Sequence, residues 1–430
     1  MFTSMEECIK FMYGLRAEIH KGEPFHAMNK ILPELNNPHE KVPFIHIAGS
    51  NGKGSTVNYL REMLQQAGYK VGAFTSPHLE RVNERITING AEISDERFLA
   101  LANHLFQIIE QIDGEYPSFF ELMTLIAFMY FAEEQTDIAL IEAGIGGRFD
   151  CTNVITPLCS IITTVSLDHT HILGNTQKEI AYQKAGIIKR NVPVVTAVTD
   201  KDALEVIQLE AEQKNAPLFI YGEDFFATDI RMLNNKQHFT YQLGNVKYNV
   251  ALQMLGAHQI ANASCALTAA TILRSMGFTR FTDQRIQSAL ENAFWPGRFE
   301  QIGGQIILDG SHNPEGTQAL IDTLIRQYPN QKYKFIYSVM SDKDYIGSIS
   351  ILDEAAHAIF FTELPIPRAA KAKELASHSK HPSVVVNENW KELVAKEMEK
   401  LQKDELLIVT GSIFFIAEVR KFLKAKERSL

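Results

Sequence analysis

The sequence predicts an α/β protein. Its larger part reads as a doubly wound, mostly parallel sheet domain around a P-loop, with a small antiparallel appendage. A smaller, Rossmann-like C-terminal α/β domain follows. Three features of the chain point to this. Phe44 to Ala48 is a short apolar run that stops at a glycine-rich loop, and an amphipathic segment follows at once. Strand-like apolar runs then alternate with helical ones to about Val198. The same alternation restarts after Phe-Trp-Pro-Gly-Arg at residues 294–298. Strands that are apolar throughout, separated by helical stretches, are the pattern of a parallel sheet covered on both faces.

The most informative stretch is VPFIHIAGSNGKGST, residues 42–56. Val57, Leu60, Leu64 and Ala67 share one helical face after it, and Gly68 supplies a stop. Strand, glycine-rich loop and helix together grip a phosphate. Glycines let backbone N–H groups approach the anion, the helix N-terminus points its dipole at it, and a lysine adds positive charge. The spacing is G-x-x-G-K-G-S, from Gly49 through Gly52, Lys53, Gly54 and Ser55, rather than the common G-x-x-x-x-G-K-[ST]. A plain glycine turn with a solvated lysine is the alternative, and the flanking strand and helix argue against it. An ATP-type site is expected.

The further strand-like runs are KVGAFTS, DIALIEAG, LCSIITTVS and VPVVTAV. Residues 217–250 differ, because LFIYGEDFFATDI, HFTYQLG and VKYNVALQML alternate apolar and polar residues around Asn-Asn and Gly-Asn turns. They predict the antiparallel appendage. A helix is expected from about Ala257 to Ser275. Pro-Gly at 296–297 then breaks the periodicity, giving expected domains of 1–295 and 296–430. Beyond it QIILDG, KFIYSVM, HAIFFTEL, SVVVN and ELLIVTGS form the second α/β series.

Composition narrows the function classes. With 430 residues the chain is too long for one ordinary core. No apolar run approaches the ~20 residues of a membrane span, and MFTSMEECIKFMYGL lacks the plan of a signal peptide. A cytoplasmic protein is expected. Cys8, Cys151, Cys159 and Cys265 are scattered, which supports neither a zinc site nor a disulfide framework. A net charge of −9 without a basic block argues against nucleic acid and membrane surfaces as partners. An acidic protein that binds ATP must concentrate its cations locally.

Ligands of open parallel sheets bind outside the carboxyl ends of the strands, so polar residues that end apolar runs are the candidates. They are Thr75-Ser76-Pro77-His78, Glu142 with Gly144, Gly146, Gly147 and Arg148 behind it, and Asp168-His169. An acid at such a position suits magnesium, which takes oxygen ligands and completes its octahedron with water and nucleotide. Two structural alternatives stand beside this: Glu142 as a buried acid paired with Arg148, and His169 as a loop histidine near solvated His171.

GSNGKGST, TSPHLERVNERI, SFFELMTLIAF, IEAGIGGRFDCTN, SLDHTHILGNT, IAYQKAGIIK, AHQIANA, WPGRFE and LDGSHNPEG occur in that order. Together they resemble the folylpolyglutamate synthases, often bifunctional with dihydrofolate synthase, of the Mur ligase superfamily. The resemblance runs from about residue 40 to 316, and more loosely to the end through SDKDY and VTGSIFFIAEVR. It implies that Asn51, Gly52, Lys53, Gly54 and Ser55 hold the ATP phosphates. Ser76, Glu142 and His169 are implied as magnesium ligands, with Lys184 carboxylated to a carbamate that supports a second magnesium. Asn262 and Arg298 are implied as nucleotide contacts, as are Asp309 and His312 from the second domain. Ser118, Phe119, Phe120, Glu121 and Phe149 fall where the family holds the pterin. One departure is Gln183, where the family commonly has glutamate before the lysine.

The implied activity is addition of L-glutamate to folates, and to dihydropteroate, by a monomer with Lys53, Lys184 and His312 in the chemistry. A carboxylate acylates poorly until ATP converts it to an acyl phosphate, and that transfer is catalysed mostly by positioning and charge neutralisation. A cleft between the domains is the expected seat of glutamate. Two rivals remain. A peptidoglycan-type Mur ligase would carry an additional N-terminal domain, for which the stretch before Gly49 leaves little room. A P-loop NTPase switch would explain Lys53 and Glu142 but leave Lys184, Arg298, Asp309 and His312 idle.

Overall fold

The computed structural model describes residues 1–15, 25–112 and 116–427. It divides into two compact units, Met1–Leu252 with Ile260–Ala293, and Gln253–Gln259 with Phe294–Leu430.

The first unit opens with α1 (Met5–Gly14), capped by the Ser4 hydroxyl, and α2 (His26–Glu34). β1 (Phe44–Ala48) is buried along its whole length and feeds the glycine loop and α3 (Lys53–Gln66). Gly68 follows at φ +86°, a conformation glycine adopts cheaply, and the chain returns as β2 (Val71–Phe74). β3 (Ile86–Ile88) and β4 (Ala91–Glu92) form a hairpin that sequence periodicity did not flag. Its signal was Asn89-Gly90, both at positive φ, as a two-residue hairpin turn requires.

α4 (Asp95–Gln111) and α5 (Phe119–Glu133) start on Ser94 and Ser118 caps. Then come β5 (Ile138–Glu142), β6 (Cys159–Ile162), the short α6 (Thr170–Leu173) and α7 (Gln177–Ala185). β7 (Val194–Thr196), α8 (Lys201–Gln213) and β8 (Leu218–Ile220) complete the series. The sheet order is β4-β3-β2-β5-β1-β6-β7-β8, parallel from β2 to β8. The winding reverses beside β1, and the carboxyl ends of β1, β5 and β6 lie at that switch point. Helices α1, α2, α4 and α5 share an apolar cluster with Phe44, Phe74 and Ile141. α7 and α8 share another with Ala48, Ile162 and Val194.

One expectation is corrected. Leu218–Ile220 pairs with β7 in the parallel sheet instead of joining the appendage. The reason is α8, a full crossover helix, which makes β7-α8-β8 a β-α-β unit. The appendage consists of β9 (Phe225–Leu233), β10 (Lys236–Leu243) and β11 (Val246–Leu252), an antiparallel sheet of three strands. α9 (Ala257–Ser275) and α10 (Asp283–Asn292) follow.

In the second unit β12 (Glu300–Ile302) pairs antiparallel with β13 (Ile306–Leu308), and α11 (Pro314–Gln327) follows. β14 (Lys332–Tyr337), α12 (Tyr345–Ala355), β15 (Ala358–Phe361), α13 (Ala372–His378) and β16 (Val384–Val386) continue the alternation. α14 (Trp390–Glu399), β17 (Glu405–Thr410) and α15 (Ile413–Glu427) end it. Its sheet order is β12-β13-β17-β14-β15-β16, with Ile307, Phe335, Ile359 and Ile408 in one apolar cluster. Among the described residues no helix is long and apolar enough to cross a membrane.

Candidate active site

The loop after β1 is shaped by close approach. A Cβ on Gly49 would run into Thr163 Oγ1, and one on Gly52, at φ +87°, into Asn262 Oδ1. The loop is tied to the end of β6. Ser50 N donates to Thr164 O at 2.9 Å, and Asn51 N to Thr164 Oγ1 at 3.0 Å. Gly54 and Ser55 lie in the first turn of α3, where backbone N–H groups have no intrahelical acceptor. Asn262 is buried, and its Nδ2 has no hydrogen-bond partner among the described residues. An orphaned buried donor against a glycine loop at a helix N-terminus fits a nucleotide's phosphate oxygens.

Lys53 folds back over its own loop. Its Nζ donates to Gly49 O at 2.8 Å and Ser50 O at 3.3 Å, and stands 3.9 Å from Glu142 Oε1. Glu142 is the last residue of a wholly buried strand. A carboxylate there is costly unless paired, and Lys53 together with the Ser76 N–H, 3.1 Å from Oε2, offsets the cost. The alternative pairing is not formed: Arg148 binds Glu210 at 2.6 Å instead.

His169 adopts φ +52° at the start of α6, with Nε2 4.0 Å from Asp168 Oδ2, while His171 is exposed. Lys184 is 3% exposed in the last turn of α7, so it is not the ordinary surface lysine that a helical stretch suggests. Among the described residues no three His, Cys, Asp or Glu side chains gather into a metal cluster.

The segment expected to hold the pterin carries its own structure. Ser118 and Glu121 form a reciprocal capping box at α5. The Phe119 ring stacks on Tyr13, centroids 4.3 Å apart, and the buried Arg85 guanidinium lies 5.4 Å from the Phe119 centroid. Arg85 Nε donates to His78 Nδ1 at 2.9 Å. Phe120 neighbours Phe74, while Phe149 is 62% exposed.

Tyr13 and Arg85 were not singled out from the sequence, since only the stacking joins them to Phe119. Asp150 was also missed. Its Oδ2 accepts from Gly144 N and Ile145 N at 3.0 Å each, which shapes the loop directly after Glu142. Burial raises its pKa, against the hydrogen bonds from Thr152, Ile145 and Gly144. The signal available was an acid in a glycine-rich turn, able to cap amides left open by the strand end. Beneath the loop, His46 Nε2 meets Thr152 Oγ1 at 2.9 Å, and burial with nearby Lys189 drives its pKa down to about 3.

Arg298, Asp309 and His312 belong to the second unit and form a group of their own. Asp309 accepts from Phe299 N at 2.8 Å, from Ser311 N at 3.0 Å and from the Ser311 hydroxyl. A Cβ on Gly310 would stand 2.8 Å from Arg298 Nη1. His312 Nδ1 lies 3.0 Å from Gly310 O, which can only accept, so Nδ1 is the donating nitrogen of this contact.

Residues 47–270 match the Mur ligase middle domain, and residues 297–413 the Mur ligase glutamate ligase domain. The dihydrofolate synthase/folylpolyglutamate synthase of Bacillus subtilis is 39% identical over 99% of this chain and 100% of its own length. The folylpolyglutamate synthase of Lacticaseibacillus casei is 33% identical over 91% of this chain and 92% of its own. Among solved structures, the Mycobacterium tuberculosis folylpolyglutamate synthase complexed with ADP superposes with a TM-score of 0.90 at 26% identity, over 97% of this chain and 98% of that one. An FPGS–AMPPCP–folate complex gives 0.86 at 29% identity, over 98% and 100%. The chain therefore belongs to the folylpolyglutamate synthase and dihydrofolate synthase family of Mur ligases.

Proposed function

We propose that the chain is an ATP-dependent ligase that adds L-glutamate to folates and also to dihydropteroate. The observation that carries the chemistry is Lys53 poised over a glycine loop and beside the buried strand-end carboxylate of Glu142. The substrates come from the relatives' names and from the folate complex. Residues 1–295 act as the ATP-binding part and 296–430 as the glutamate-ligase part, in a cytoplasmic monomer.

In the first step a substrate carboxylate oxygen attacks the γ-phosphorus of ATP. The bond from that phosphorus to the bridging oxygen breaks, ADP leaves, and an acyl phosphate results. In the second step the glutamate amine attacks the acyl carbon, the carbon–oxygen bond to phosphate breaks, and inorganic phosphate leaves. Asn51, Gly52, Lys53, Gly54, Ser55 and Asn262 hold the phosphates, and Arg298 and Asp309 contact the nucleotide. Lys53 neutralises charge that shifts towards the leaving ADP. His312, with Nδ1 engaged by Gly310 O, accepts the amine proton at Nε2.

Ser76, Glu142, His169 and Lys184 as a carbamate are the residues that would hold magnesium. When bound, magnesium neutralises the phosphate oxygens and fixes the nucleotide. The neutral amine of Lys184 forms a nitrogen–carbon bond to carbon dioxide and releases one proton, which leaves a carboxylate whose two oxygens share one negative charge, the kind of ligand a hard cation prefers. Burial of the side chain supports this, because water is kept from a labile group. Phe119, Phe120 and Phe149, with Ser118 and Glu121, line the pterin side, and Tyr13 extends the aromatic surface.

The test is ATP turnover with dihydropteroate and with a reduced folate. Phosphate release should require both the acceptor and glutamate, with a product heavier by one glutamate in each case. Phosphate release indifferent to glutamate would reject ligation, and activity on only one acceptor would reject the dual specificity. Sedimentation of the active enzyme as a dimer would reject the monomer.

A further inference from the structure

We propose that Arg148 is a positioning residue for Lys184, acting through the last turn of α7. The inference rests on the assignment of Lys184 to the metal site. Arg148 lies in the loop that begins after Glu142, and it is joined to the residues on both sides of Lys184. Its backbone N donates to Gln183 O at 2.6 Å. Asn153 Nδ2 donates to Arg148 O at 3.1 Å and to Gly186 O at 3.0 Å, stapling the two segments together. The approach is tight enough that a Cβ on Gly186 would collide with Arg148 Cα, and one on Gly147 would stand 2.9 Å from Lys184 O.

The side chain continues the frame. The guanidinium carbon lies 3.8 Å from the Tyr182 ring centroid, and Nε donates to Tyr182 O at 3.1 Å. Nη2 donates to Glu210 Oε2 of α8 at 2.6 Å, in a pair whose side chains are only 20% and 10% exposed. Arg148 thus fixes Tyr182 and Gln183 against the loop from Glu142 and against α8, and Asn153 ties Gly186 to the Arg148 carbonyl. α7 has nine residues, too few to hold its own last turn. Its end is placed by these ties. A lysine at 148 keeps the charge but loses the flat stack and the two differently directed N–H groups.

The experiment counts Mn²⁺ bound in the presence of AMPPCP, by electron paramagnetic resonance, for Arg148→Lys, Arg148→Ala, Glu210→Gln and Lys184→Ala. Lys178→Ala is the control, because Lys178 also joins α7 to α8, through Glu205 at 2.9 Å and Asp202 at 3.5 Å, at the exposed end of α7. Residues that orient a metal ligand change metal affinity by about 10–100-fold when removed. Arg148→Lys and Glu210→Gln should therefore weaken the more loosely held Mn²⁺ by roughly tenfold or more. AMPPCP affinity should stay within about twofold of the parent, and kcat should fall more than KM for ATP. Lys178→Ala should match the parent in every reading.

If the Arg148 variants do not fold, Glu210→Gln decides alone, since it keeps the backbone bonds and the Tyr182 stack. Lys184→Ala losing an ion while folded Arg148→Lys and Glu210→Gln bind Mn²⁺ as the parent does overturns the positioning role alone. Lys184→Ala binding Mn²⁺ normally overturns the metal assignment of Lys184, and the positioning role with it.

Discussion

Lys53 Nζ stands 3.9 Å from Glu142 Oε1, joining the residue that opens α3 to the residue that ends β5, the strand beside β1. The ammonium balances the charge of a buried carboxylate, and it also donates to carbonyls of the loop it serves. A phosphate entering this loop meets a cation already held in place. Preorganised charge of this kind pays no reorganisation at the moment of reaction.

Lys53→Ala should fold and lose ligation by about 10²–10³-fold, the usual effect of removing one preorganised charge-stabilising donor. Circular dichroism would report the fold and coupled ADP formation the rate. Near-normal turnover would end the assignment of the loop to ATP.

Gly52→Ala tests the loop without touching its charge. The backbone is at φ +87° and the new methyl would meet Asn262 Oδ1. Left-handed strain costs a non-glycine residue on the order of 1–3 kcal/mol, and relief requires Asn262 to move. Both effects should raise KM for ATP at least about tenfold, since each 1.4 kcal/mol is a factor of ten. An unchanged KM would mean that neither group touches the nucleotide.

The strands were readable wherever an apolar run was covered on both faces, as with Phe44–Ala48 and Ile138–Glu142. Leu218–Ile220 was misassigned because a short apolar run carries no sign of which sheet it joins, and only α8 before it decides. The β3–β4 hairpin is too short for periodicity to register. Glu142, His169 and Lys53 stood out because strand ends and glycine loops are local features. Tyr13, Arg85 and Asp150 did not, because their significance lies in partners brought near by the fold: Phe119 for the first two, and the Gly144 and Ile145 amides for the third. The same holds for the partner of Arg148, Glu210, which lies 62 residues away in sequence.

His46 makes stability depend on pH. Its folded-state pKa of about 3 lies below the ordinary histidine value, because burial and Lys189 disfavour the cation. The unfolded chain therefore binds the proton that the folded chain refuses. This contribution is complete above about pH 6.5 and is lost as pH falls from there towards 3, at up to about 1.4 kcal/mol per pH unit. His46→Gln can still donate to Thr152 Oγ1 but does not titrate. Urea unfolding of the first unit should show the difference in stability between pH 7 and pH 5 shrinking by about 2 kcal/mol in the variant. An identical pH dependence would mean that His46 takes up its proton in the fold as readily as in the unfolded chain.

The carbamate proposed at Lys184 is the most specific piece of chemistry to test. An ammonium so thoroughly buried, in the last turn of α7, would repel a magnesium ion placed beside it. A carbamate reverses that sign and supplies two oxygens. Lys184→Ala should lose activity by about 10²-fold or more, the scale of a missing charge-stabilising group. The cavity left by the alanine then decides between charge and packing. A short carboxylic acid such as acetate or propionate should partly restore the rate if an anionic oxygen is what is missing, and an amine of the same size should not. In the parent enzyme, ¹³C-labelled bicarbonate should give a carbamate signal that is absent from Lys184→Ala. Rescue by the amine, or a parent enzyme without the signal under turnover conditions, would remove the carbamate from the reaction and return Lys184 to a structural cation.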